Sequence, residues 1–173
     1  MQNCKQTSQF LSGKLYSVYR KLLQSPPQGA SEKQIAEWFG QAFLLLQKMN
    51  EPREYDALLK LAAEKYADNI PVMLMLYDCA GMMPSYGYRI GGDFVRGNNR
   101  GGYGLPLSAS ERDRVLLLRM YDKLYRKAPD AVPAEFLARF AGLWLTGRSG
   151  GSSWKLQQKT DELNSKLRKS IAE

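Results

Sequence analysis

Arginine, glycine and aromatic side chains are concentrated in residues 91–104, GGDFVRGNNRGGYG. Arginine neutralises phosphate and stacks on bases, and aromatic rings stack as well. Arg96 and Arg100 with Tyr86, Tyr88, Phe94 and Tyr103 would therefore suit single-stranded RNA. A repeated RGG segment lacks large apolar residues, however, whereas Phe94, Val95 and Leu105 call for burial. A phosphate-cradling loop fails on spacing: neither G-x-x-x-x-G-K-[ST] nor G-x-G-x-x-G occurs. The stretch GRSGGSSWK at 147–155 fails in the same way and reads as a helix cap. The favoured chemistry of 84–107 is structural. Its glycines permit positive φ or close backbone approach, its aromatics plug into neighbouring helices, and Arg96 and Arg100 hold loop carbonyls or carboxylates such as Asp93, Glu111 or Asp113.

The remaining inventory is poor in catalytic groups. The chain has no histidine, which removes Ser-His-Asp and Cys-His catalysis and every imidazole zinc site. Cys4 and Cys79 form no C-x-x-C motif; a free structural thiol is the default, one disulfide the alternative. Asp113 with Glu111, and Asp161 with Glu162, read as solvated charges on helix surfaces. Met73, Met75, Met82 and Met83 read as core ahead of a plastic binding surface. No enzyme activity, metal or cofactor is expected.

The 173 residues carry a formal charge of +8. That charge is spread over almost every segment and mixed with carboxylates, as amphipathic helix faces require. No run approaches the roughly 18 apolar residues of a membrane span, and MQNCKQTSQF lacks a signal-peptide apolar core. Membrane insertion is not expected.

The elements that must position these groups read as helices. From Ser8 to Ser25, Phe10, Leu11, Leu15, Val18, Leu22 and Leu23 recur at three- and four-residue steps. SPPQGA ends that run, and Ser31 with Gln34 forms a capping box for a second helix through Met49. Pro52 opens a third, with Tyr55, Leu58, Leu59, Ala62 and Tyr66, and Pro71 opens a fourth that Gly81 and Pro84 end. Ser108 with Glu111 caps a fifth through Tyr125. Ala134 to Thr146 makes a sixth, and Trp154 to Ala172 a more polar seventh. The expected fold is all-α: about seven helices in antiparallel hairpins, a TPR-like or solenoid-like array, with a long glycine-rich ordered loop. One domain over 1–173 is expected, with a first helical half at 8–83, the crossing at 84–107 and a second half at 108–173.

The second half also resembles a known family. GDFVRGNNRGG, ERDRVLLLRMYDKL and LTGRSGGSSWKLQQKTDEL follow the order and approximate spacing of a segment in large bacterial alpha-2-macroglobulin-family proteins. There a pattern like F-x-R-G-x-x-R-G-G precedes E-R-D-R-V and later W-x-L-Q-x-x-T-D-L. The matching positions are Phe94, Arg96, Gly97, Arg100, Gly101 and Gly102, then Glu111, Arg112, Asp113, Arg114 and Val115, then Trp154, Leu156, Gln157, Thr160 and Asp161. The match covers roughly 86–163. It implies an N-terminal helical region, a fragment of a much larger periplasmic or secreted protein whose later domains trap proteases. The family's C-x-E-Q thioester motif is absent, so that chemistry does not belong to these residues.

The expectation is thus a non-catalytic scaffold or interaction module of such a protein, with other domains of the same chain or another protein as partner. Phe94, Arg96, Gly97, Arg100, Gly101, Gly102, Glu111 and Asp113 anchor the loop, and Tyr86, Tyr88, Tyr103 and Trp154 offer an interaction surface. The alternative is a basic helical nucleic-acid-binding protein; nucleic acid is not the expected partner.

Overall fold

The computed structural model describes residues 2–97 and 104–145. Six α-helices are formed there: α1 (Gln2–Gln24), α2 (Glu32–Met49), α3 (Pro52–Lys65), α4 (Ile70–Ala80), α5 (Ala109–Lys127) and α6 (Ala134–Leu145). Polar caps set their starts. Ser31 accepts from the Gln34 amide while the Gln34 side chain accepts from the Ser31 amide. Asn69 caps α4 through the Val72 amide, and Ser108 caps α5 through the Glu111 amide. Pro52 occupies the first turn of α3, where its missing N–H costs nothing. Asn50, in the left-handed region at φ 55°, closes α2.

The core forms around α2, which packs against α1, α3 and α4. Phe39, Ala42, Phe43 and Leu46, spaced i, i+3, i+4 and i+7 along one face of this helix, are fully buried. Buried phenols tie the helices together by donating to backbone carbonyls of neighbouring helices. Tyr66 donates to the Leu23 carbonyl at 2.6 Å and Tyr121 to the Met73 carbonyl at 2.8 Å. Tyr121 also stacks on Phe136 at 4.3 Å, joining α5 to α6. Cys79 is free and buried, and burial pushes its thiol up to about 11. Met73 and Met83 are core residues, Met75 is half-buried and Met82 is exposed.

One expectation needs correction. The molecule is mostly helical, not wholly so: residues 86–108 include a three-stranded antiparallel sheet of β1 (Tyr86–Ile90), β2 (Asp93–Arg96) and β3 (Leu105–Ser108), ordered β2-β1-β3. β1 and β2 form a tight hairpin, with Ile90 opposite Asp93 and Gly87 opposite Arg96. Gly91 and Gly92 make its two-residue turn, both at positive φ (59° and 96°) as such a turn requires. β3 pairs on the other side of β1, Tyr86 opposite Ser108.

The apolar run of α1 is divided by the packing. Tyr16 and Leu23 are buried and Tyr19 is half-buried, while Phe10, Leu11, Leu15 and Val18 are exposed. The apolar spacing identifies a helix, but the core selects the tyrosine face because Tyr16 can bury its ring and still donate to Glu54. The expected seventh helix lies outside the described residues, and no internal repeat is evident in the sequence.

Candidate functional site: a buried arginine at the sheet–helix junction

The sheet meets the helices at Arg96, the last residue of β2, which is 1% exposed. A guanidinium carries five donors in a planar fork. Here Nη2 donates to Asp56 Oδ1 at 2.9 Å and Asp113 Oδ1 at 2.7 Å, Nε to Asp56 Oδ2 at 3.3 Å, and Nη1 to the Pro84 carbonyl at 2.9 Å. One side chain therefore joins β2 to α3, to α5 and to the backbone that leads into β1.

Arg112 completes the cluster from outside. Its Nη1 donates to Asp56 Oδ1 at 2.7 Å and lies 3.4 Å from Asp113 Oδ1, and its guanidinium covers the Phe94 ring at 4.3 Å. Arg96 lies 5.6 Å from the same ring. Two arginines face two aspartates, so the cluster is formally neutral. Burial opposes the Arg96 charge, but hydrogen bonds from Arg96 to Asp113 and Asp56 outweigh it and hold the guanidinium above its ordinary range. Burial likewise pushes the Asp113 carboxyl up, against the pull of Arg96. Its Oδ2 is buried with no hydrogen-bond partner among the described residues, which is consistent with that direction.

The candidates from the loop fall in different places. Arg96 and Asp113 are together in the cluster, so the description of Asp113 as a solvated surface charge is corrected: it is 2% exposed. Glu111 is not a partner of Arg96 in this network. It accepts from Arg114 Nε at 2.9 Å, and Arg114 also donates to the Leu143 carbonyl at the end of α6. Gly97 is buried at φ 87°, and a Cβ there would come within 2.7 Å of Pro52 Cγ. Phe94 and Tyr88 are half-buried and Tyr86 is exposed. Arg100, Gly101, Gly102, Tyr103 and Trp154 lie outside the described residues, as do Asp161 and Glu162.

Asp56 is the residue that the sequence does not single out. In EPREYDALLK it looks like any polar position between apolar ones, and its partner is 40 residues away. Arg112, although part of the ERDRV block, carries no distinguishing sign of its ring contact either.

A cavity of about 290 Å³ adjoins the cluster at Arg112 and Phe94 and is also lined by Arg89, Gly92, Leu107 and Ser108, with no carboxylate or thiol. A second, of about 400 Å³, lies between α2, α4 and α6 beside Asp78 and Arg139. Among the described residues no three metal-ligating side chains converge, and no helix is long and apolar enough to cross a membrane. The buried arginine is thus a positioning device: its donors are aimed at the chain's own oxygens, and its guanidinium is closed off from solvent. Compared with protein-family models, with curated proteins and with solved structures, the chain matches none of them.

Proposed function

We propose that this chain is a non-catalytic helical scaffold that presents surfaces to protein partners, with the sheet locked in place by Arg96. The observation that carries this is the inward aim of the cluster. Four hydrogen bonds from one guanidinium go to three separate segments of the same chain. A group spent in this way fixes geometry rather than binding a phosphate or polarising a substrate.

The resemblance to large bacterial alpha-2-macroglobulin-family proteins gives the scaffold a setting: a helical region of a periplasmic or secreted protease-trapping protein. That resemblance rests on the order and spacing of its sequence blocks. Protease trapping itself would reside in other domains of the parent protein.

The scaffold role is tested by replacing Arg96 with alanine in the full chain. A large fall in melting temperature is expected. Unchanged stability combined with loss of binding to a partner would overturn the role. The family setting is tested by reading the gene on both sides of these codons; a long reading frame without β-sandwich domains and without C-x-E-Q would overturn it.

A further inference from the structure

α1 carries two apolar faces, and among the described residues only one of them is packed against the core. Leu11, Leu15, Val18 and Leu22 follow steps of four, three and four residues, the d-a-d-a positions of a heptad. The first three are 59%, 47% and 52% exposed, and Leu22 is half-buried. Exposed Phe10 lies beside this stripe at a c position, with Lys14 over its ring at 4.4 Å, but the a/d residues themselves form the seam of a helix pair, narrower than the broad apolar face that a lipid surface or a globular core takes. One flank of the seam is closed by the chain itself, where half-buried Tyr19 occupies an e position. The other flank holds Lys14 and Lys21, at successive g positions and both exposed.

We infer that this seam docks an acidic amphipathic helix with leucine or isoleucine at its a and d positions and glutamate beside Lys14 and Lys21. The choice of partner follows from charge. α1 carries Lys5, Lys14, Arg20 and Lys21 and not one carboxylate over its 23 residues. A second copy of the chain would set lysine-flanked seam against lysine-flanked seam, with nothing on either α1 to neutralise it, and like charges at flanking positions select against self-pairing. A helix bearing glutamates converts the same lysines into attraction and speeds encounter with this basic chain. The inference rests on the interaction-module reading and gives that module its surface.

The test uses the full chain and two synthetic peptides of about four heptads, both with leucine at a and d. One carries glutamate at e and g, the other lysine. Calorimetric titration should show the acidic peptide binding at least about tenfold more tightly than its basic twin. Lys14→Glu with Lys21→Glu should reverse that preference, and Leu15→Asp should abolish binding to both; these positions are exposed, so circular dichroism should remain that of the parent. Absence of acidic-peptide binding, or equal binding by the Leu15→Asp chain, would overturn the proposal. So would a dimer in sedimentation equilibrium that Leu15→Asp dissociates, since the occupant would then be a second copy. Binding to phosphatidylglycerol vesicles through Leu15, without peptide binding, would overturn it in favour of a lipid surface. None of these outcomes depends on Arg96, so the docking inference can fail while the scaffold reading stands.

Discussion

Arg96 and Arg139 each bridge two carboxylates, yet they stand in opposite electrostatic situations. Arg96 is wholly buried, and its partners Asp113 and Asp56 have side chains 3% and 21% exposed. Arg139, on α6, reaches Asp78 of α4 through Nη2 at 2.8 Å and Glu135 of its own helix through Nη1 at 2.6 Å, but those carboxylates are 55% and 64% exposed. The Nη1 contact is close enough for an ion pair without the alignment of a hydrogen bond. A count of ion pairs would rank the two arginines as equals. Burial separates them, because water can replace a lost partner for Asp78 and Glu135 and cannot readily do so for Asp113.

The sharpest way to break the comparison is Arg96→Ala. Removing one member of a buried pair leaves an uncompensated charge, and the cost should be about 3–5 kcal/mol. For a chain of this size that is a fall in Tm on the order of 10 °C. Arg96→Lys should recover only part of it, since an ammonium cannot span Asp56, Asp113 and the Pro84 carbonyl with one planar fork. A loss below about 1 kcal/mol for Arg96→Ala, the range of an exposed pair, would mean that burial is not what distinguishes the two sites.

Acid should then shrink the Arg96→Ala deficit. Burial already raises the Asp113 carboxyl in the folded chain, and loss of Arg96 raises it further. An acid whose folded pKa exceeds its unfolded value, about 3.9 for Asp, costs nothing when both states are protonated. The cost grows as pH climbs from the unfolded value through the folded one. The stability gap between the variant and the parent should therefore be smaller at pH 4 than at pH 7 in denaturant titrations. An equal gap at both pH values would show that lost packing, rather than the stranded carboxylate, is responsible.

Gly97→Ala probes the same junction from the backbone. Its φ of 87° disfavours any side chain, and the new Cβ would press on Pro52, the first residue of α3. A loss of about 1–3 kcal/mol is expected from strain of this kind, with urea denaturation as the measurement. A neutral outcome would mean that the end of β2 can shift off α3 without disturbing Arg96, and that the junction is looser than its hydrogen bonds imply.

How much of this was legible in the sequence differs by element. The second to fifth helices announce themselves through local chemistry: Ser31 with Gln34, Pro52, Pro71 and Ser108 with Glu111 are capping or first-turn residues that act within three positions of themselves. The sheet does not, because its strands are four or five residues long and β3 is exposed throughout, so no apolar alternation marks it. The hairpin signal was present in Gly91–Gly92, flanked by Ile90 and Phe94, but a glycine-rich stretch offers too many such pairs to choose between. α1 differs again: spacing identifies the helix, and only the tertiary packing shows that Tyr16 and Leu23, not Leu11, Leu15 and Val18, face the core. At the site, Arg96 and Asp113 stand out by the arginines of the loop and the charges after the Ser108 cap. Asp56 has no local sign, because its role depends on a residue 40 positions away.

The smallest expected effect is also the one that keeps the comparison honest. Arg139→Ala removes the contacts to Asp78 and Glu135 together, more ion-pair geometry than many surface sites possess. Both carboxylates regain full hydration, and the side-chain entropy spent holding them is returned. The net cost should be about 0–1 kcal/mol, falling further when salt is raised from about 0.1 to 1 M as the Debye length drops from about 10 to 3 Å. Part of any residual loss will be packing, because the guanidinium lies 5.8 Å from the Tyr77 ring of α4. Arg139→Met, which keeps the stem and discards the charge, separates the two contributions. If Arg139→Met matches the parent while Arg139→Ala falls short, α6 is held by contact area. If both fall equally and high salt erases the difference, the exposed pair contributes by its charge after all.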